Sequence, residues 1–100
     1  MTEILDKKTF EECLKNEKVI ITFYTKWCPI CKMLKFSLEE YTEEHDDIVT
    51  AMIDFSNFEE AAKELGVNSV PTSLFYINGN LVEKLHGKIE FDEINEIFYH

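Results

Sequence analysis

One hundred residues, 45% of them hydrophobic and 13% aromatic, are enough for one domain with a real core and too few for two, so residues 1–100 are expected to form a single domain. Three glycines and two prolines exclude a disordered or fibrous chain, and a formal net charge of −10 argues against nucleic acid or an anionic membrane surface as partner. The longest apolar run falls far short of a membrane span, and Met1-Thr2-Glu3-Ile4-Leu5-Asp6 lacks the basic, apolar, small-residue order of a secretory signal, so a cytoplasmic location is expected.

In chain order, Glu3 to Leu5 reads as a short edge strand and Lys7 to Asn16 as a helix with Asp6 at its N-cap. Phe10, Cys13 and Leu14 share one face of that helix, which makes Cys13 a small buried hydrophobe. Val19 to Tyr24 is nearly continuous, β-branched and aromatic, the pattern of a central strand covered on both faces. The helix after Cys28 runs to Thr42 or Glu43, and its acidic end, Glu39 to Asp47, reads as a solvated face and loop. Ile48 to Phe55 is a second core strand. Ser56 or Asn57 can cap a helix over Phe58 to Leu65, which Gly66 is suited to end. Ser73 to Ile77 pairs with Leu81 to Leu85 through Asn78-Gly79, a hairpin signal, and Phe91, Ile94, Ile97 and Phe98 line one stripe of a last helix. The order β-α-β-α-β-α-β-β-α, with right-handed crossovers, gives an α/β fold: a five-stranded mixed sheet with helices on both faces.

The chemistry concentrates in Trp27-Cys28-Pro29-Ile30-Cys31-Lys32, at the junction of a strand and a helix. A sulfur on the first helical turn sits beside unsatisfied N–H groups and the positive end of the dipole, which lower a thiol pKa from about 8.5 to roughly 3.5–7.5. Residues three apart share a helix face, so Cys31 can reach back to Cys28 and close a small disulfide, with Cys28 attacking and Cys31 resolving. Pro29 is tolerated there because the first turn needs no N–H from it. Half of a zinc site is the competing reading, but there is no second pair, and Cys13, His45, His86 and His100 are scattered without ligand spacing. Two inert core cysteines are a third, against which the flanking Trp27, Pro29 and Lys32 argue.

The strand entering Trp27-Cys28-x-x-Cys31-Lys32, then Asp54, Val70-Pro71-Thr72, Asn78-Gly79 and Gly87, spread over residues 3 to 98, resembles the thioredoxin family. The resemblance implies the thioredoxin fold and a protein thiol–disulfide oxidoreductase that cycles Cys28 and Cys31 between dithiol and disulfide. It implies a cis Val70-Pro71 peptide facing the two sulfurs. Trp27, Pro29, Lys32 and Pro71 would support the cysteines. Trp27, Val70, Pro71 and Thr72 would bind substrate, with Trp27 shielding the sulfurs. It further implies a monomer without a cofactor of its own, acting on disulfide-containing proteins and reduced by a flavin- and NADPH-dependent thioredoxin reductase or by glutathione.

The departures are equally specific. Pro29-Ile30 stands where the family commonly has Gly-Pro, an order closer to glutaredoxins and some periplasmic oxidases, and points to a potential above thioredoxin's. Thr22 and Met52 replace a usual buried acid and lysine, leaving Cys31 to find another base, and Phe36 replaces a helix-kinking proline. Two other functions stay open: a glutaredoxin-like, glutathione-linked exchanger, and a non-catalytic thioredoxin-fold binding module. His86, beside Gly87 near the expected groove, is read as a solvated strand histidine.

Overall fold

The computed structural model describes residues 1–99. Its elements are β1 (Thr2–Ile4), α1 (Lys7–Cys13), β2 (Lys18–Tyr24), α2 (Pro29–Glu43), β3 (Ile48–Asp54), α3 (Glu59–Glu64), β4 (Thr72–Ile77), β5 (Asn80–His86) and α4 (Phe91–Tyr99). The strands form one five-stranded sheet in the order β1-β3-β2-β4-β5. β3 runs parallel to both β1 and β2, whereas β4 pairs antiparallel with β2 and β5, so the sheet is mixed as expected.

Alternation along the strands divides the core between two faces. Val19, Ile21, Phe23, Ala51, Ile53 and Leu74 pack with Cys13 of α1 and Ala62 of α3. Ile20, Ile48 and Phe75 pack on the opposite face with Leu34, Leu38 and Tyr41 of α2 and Ile94 and Phe98 of α4. β2 lies at the centre of the sheet, and five consecutive residues from Val19 to Phe23 are buried, which explains its unbroken apolar run. Phe75 is fully enclosed with its ring centroid 5.7 Å from that of Phe98. Phe75→Ala is expected to lower stability by about 3–5 kcal/mol, read as a fall in the urea midpoint without a change in slope.

Local chemistry sets several boundaries. The Asp6 carboxylate accepts from Thr9 N at 2.8 Å, the expected cap, but α1 stops at Cys13 because Lys15 and Asn16 turn back onto Glu12 and Cys13 with three-residue hydrogen bonds. Neither Ser56 nor Asn57 caps α3. Asp54 instead accepts from Ser56 N at 2.9 Å and starts a short 3-10 turn over Phe55–Asn57, so β3 ends at Asp54 and α3 begins only at Glu59. Gly66, at φ 72°, ends that segment as expected. Asn78 and Gly79 both have positive φ, 51° and 81°, the tight two-residue turn that matches sheet twist. Tyr41 departs from the solvated reading of its segment: it is buried, donates to Asn95 Oδ1 at 2.6 Å and stacks on His45 at 4.0 Å.

Candidate active site

The site grows from the carboxyl end of β2. Thr25 to Trp27 leave the sheet, Cys28 N donates to Thr25 O at 3.3 Å, and Cys28 becomes the N-cap of α2 with Pro29 in the first turn. Cys28 Sγ then accepts from Cys31 N at 3.2 Å, so the sulfur occupies the place a capping oxygen usually fills. Cys28 and Cys31 are joined as a disulfide with Cα atoms 5.2 Å apart. The two sulfurs are unequal: Cys28 is half-buried, whereas Cys31 is only 2% exposed. An incoming molecule reaches Cys28 first. Trp27 is 91% exposed, and Lys32 and Pro29 are also exposed, so the indole covers little of the disulfide in this oxidised state.

Register decides what lies beneath. Thr22 of β2 stands between Met52 of β3 and Ser73 of β4. Thr22 Oγ1 and Ser73 Oγ share a hydrogen bond of 2.8 Å with both residues fully buried. Two neutral hydroxyls satisfy one another and demand no cation, which is why an apolar Met52 is tolerated alongside. The role of Ser73 could not be read from its own neighbourhood, since it depends on an antiparallel partner 51 residues away.

Behind Cys31 opens a cleft of about 240 Å³ that it shares with Met52, Tyr24, Glu3, Lys26 and Lys35, among others. Tyr24 donates its hydroxyl to Glu3 Oε2 at 2.8 Å. Burial first, and the Glu3 carboxylate second, push the Tyr24 phenol well above its ordinary value, so it stays protonated as the donor of this pair. The volume suffices for several waters beside the Cys31 thiol.

The Val70–Pro71 peptide is cis. Thr72 pairs with Phe23 on one side and His86 on the other, which puts Pro71 level with Tyr24, at the same end of the sheet as the cysteines. Gly87 N donates to Pro71 O at 2.9 Å and fixes the segment from β5. The Thr72 hydroxyl donates to Ser69 O at 2.8 Å; its one proton is thereby used, so His86 Nδ1–H donates to it at 3.0 Å. His86 is exposed as expected, yet also tied into this corner. Val70 is half-buried and Pro71 and Thr72 are buried. The loop after α3 therefore brings Val70, Pro71 and Thr72 to the end of the sheet that carries Trp27, Cys28, Cys31 and Lys32.

Cys13 lies on the other face, buried between α1 and the sheet, and desolvation, with Glu12 adding to it, raises its thiol pKa. Iodoacetamide is expected to leave the native oxidised protein unmodified and to add a single group in denaturant, read by intact mass. Among the described residues no three His, Cys, Asp or Glu side chains are grouped to hold a metal ion; His100 lies outside them.

A cysteine pair one turn apart, the first capping a helix at the end of a central strand, defines a thiol–disulfide oxidoreductase. The comparisons with known proteins agree. The family model described as Thioredoxin matches residues 1–99. The chain is 31% identical over 98 residues to the thioredoxin of Mycoplasmoides gallisepticum, covering 97% of this chain and 98% of that one. It is 32% identical over 88 residues to the thioredoxin of Alicyclobacillus acidocaldarius, covering 86% and 84%. Among solved structures, a mutant thioredoxin from Halobacterium salinarum superposes with a TM-score of 0.87 at 27% identity, over 96% of this chain and 85% of that one. The chain belongs to the thioredoxin family, has the thioredoxin fold and acts on disulfides.

Proposed function

We propose that the chain works as a reductant of disulfides in other proteins, with Cys28 as nucleophile and Cys31 as resolving thiol. The observation that carries this is the Cys28 sulfur seated at the α2 N-cap, accepting from Cys31 N. Such a seat favours the thiolate, the form that attacks. In the reduced protein, Cys28 S⁻ attacks one sulfur of a substrate disulfide and the other leaves as a thiolate. Cys31 then gives up its proton and attacks Cys28 Sγ; the mixed disulfide breaks, the substrate takes its second thiol, and the Cys28–Cys31 disulfide remains.

The buried acid that would take the Cys31 proton in relatives is Thr22 here, engaged with Ser73. The proton therefore leaves through the cleft behind Cys31, to water. Trp27, Val70 and Pro71 form the groove for an extended substrate segment, with Val70 supplying backbone hydrogen bonds. Thr72, expected to bind substrate, is fully buried and instead holds the segment from beneath through Ser69 O and His86, and Pro29 and Lys32 shape the helix start. A reductase using flavin and NADPH, or glutathione, returns the electrons, and the domain, a monomer, carries no cofactor. A dithiol of this kind, together with the unpaired Cys13 thiol, suits a reducing compartment, and we assign the protein to cytoplasmic electron transport and redox homeostasis.

Pro29 and Ile30 replace the residues usual between such cysteines, and the reduction potential is expected above the roughly −270 mV of thioredoxin. Equilibration with glutathione and dithiothreitol, followed by quenching with iodoacetamide and intact mass, measures it. A value at or below about −270 mV would contradict the role assigned to Pro29-Ile30; failure to exchange at all would remove the proposed function.

A further inference from the structure

From Lys18 to Leu38 this acidic chain carries no Asp or Glu, although it has 20 of them in 100 residues. Four lysines fall in the same window. Lys18 is paired with Asp47, but among the described residues Lys26, Lys32 and Lys35 have no carboxylate within 4.0 Å. The same window holds an unusual apolar surface. Trp27 is 91% exposed, Ile30 53%, Met33 71% and Phe36 69%. α2 does not need these side chains for its own packing, since it buries Cys31, Leu34, Leu38 and Tyr41 on its sheet face. Ile30, Met33 and Phe36, three apart, form a band across the outward face of α2, with Lys32 and Lys35 running beside it.

We propose that this band is a docking surface for folded disulfide-containing substrates whose own contact surface is apolar and fringed with carboxylates. The inference rests on the proposed function and specifies its substrate class. Three arguments converge on that occupant. Exposed aromatic and Met side chains grouped on one face are the usual anchors of an interface. Unpaired lysines beside them select carboxylates, and in a chain of net charge −10 the acid-free stretch from Lys18 to Leu38 is the one that carries the disulfide, with Glu39 and Glu40 beginning only a helical turn beyond Lys35 and Phe36. An acidic partner is therefore favoured at the Lys26, Lys32 and Lys35 side of the band over the acidic remainder of the chain. Phe36 lies eight residues beyond Cys28, about 12 Å along a helix at 1.5 Å per residue. A partner joined to Cys28 must therefore present a broad surface to touch Phe36, as a folded protein does.

The test compares two substrates of the reduced protein: insulin, an acidic folded protein with disulfides, and hydroxyethyl disulfide, which is small and uncharged. Second-order rate constants are read by acid quench, alkylation and intact mass, for the parent chain, M33S/F36S and K35Q. Met33 and Phe36 are exposed and outside the catalytic pair and its cleft. Lys35 is exposed but lines the cleft behind Cys31, so K35Q is read only through the salt dependence of its insulin rate, and thermal melts confirm that the variants are folded. The expected result is that M33S/F36S reduces insulin about tenfold more slowly, equivalent to about 1.4 kcal/mol, and that the hydroxyethyl disulfide rate stays within about twofold. K35Q should flatten the fall of the insulin rate with added salt. Parallel changes in both substrates, or no change in either, overturn the proposal. So does a parent dimer that M33S/F36S converts to monomer in sedimentation, because the band would then be a contact between copies. A parent chain that fails to react with hydroxyethyl disulfide sinks the proposed function instead.

Discussion

Cys31→Ser is expected to stop the reaction halfway, leaving one substrate chain per protein held on Cys28 as a stable mixed disulfide. Cys31 is 2% exposed while Cys28 is half-buried, so a substrate disulfide meets Cys28 and cannot easily meet its partner. Serine keeps the backbone N–H that the Cys28 sulfur accepts, so the N-cap geometry and the favoured thiolate survive. What is lost is the second attack. A hydroxyl is far too weak an acid to replace the thiol at neutral pH, and release of substrate then falls to the uncatalysed rate. Cys28→Ser is expected to form no adduct at all, since Cys31 is enclosed. Intact mass under non-reducing conditions distinguishes the two, and an equal yield of adduct from both variants would reverse the assignment of nucleophile and resolving thiol.

Thr22→Asp is the second large effect, and here the change is in stability. The site is fully buried, its one hydrogen-bonding neighbour is the neutral Ser73, and Met52 occupies the adjacent position on β3. A carboxylate there has no paired cation, and an uncompensated buried charge costs about 3–5 kcal/mol. The sign of the pH dependence follows. Burial raises the folded-state pKa of the new Asp above its unfolded value of about 3.9, so the penalty is absent below that value. It grows as pH rises from about 4 and levels off above the folded pKa. Urea midpoints at pH 4 and pH 7 should therefore show the variant close to the parent at the lower pH and far below it at the higher. Adding Met52→Lys should return part of the loss at pH 7 by supplying the cation. An equal loss at both pH values would mean that steric crowding of the Thr22–Ser73 pair, not charge, sets the cost.

The elements differed in how much of themselves they disclosed. β2 announced itself because a central strand covered on both faces must be apolar throughout, and Asn78-Gly79 because few residue pairs accept two consecutive positive φ angles. The start of α3 lies within one residue of the sequence expectation, but its cap does not follow it, for a physical reason. Ser56 and Asn57 are good caps in principle, but the Asp54 carboxylate, two residues before Ser56, takes the Ser56 N–H into a 3-10 turn and leaves Phe58 at the N-cap. Tyr41 looked solvated among acidic neighbours because its burial is supplied by α4, which is more than fifty residues away in the chain.

What the sequence alone determined was the chemistry: a Cys-x-x-Cys at a strand-to-helix junction, whose thiolate preference arises from local backbone dipoles and needs nothing distant. What only the tertiary structure decided was the setting of that chemistry. The hydroxyl pair of Thr22 with Ser73, the tie of His86 to Thr72 beside the cis Val70–Pro71 peptide, and the cleft shared by Cys31, Tyr24 and Glu3 all join separate elements. Strand order and register bring them together, and both are set by packing over the whole sheet.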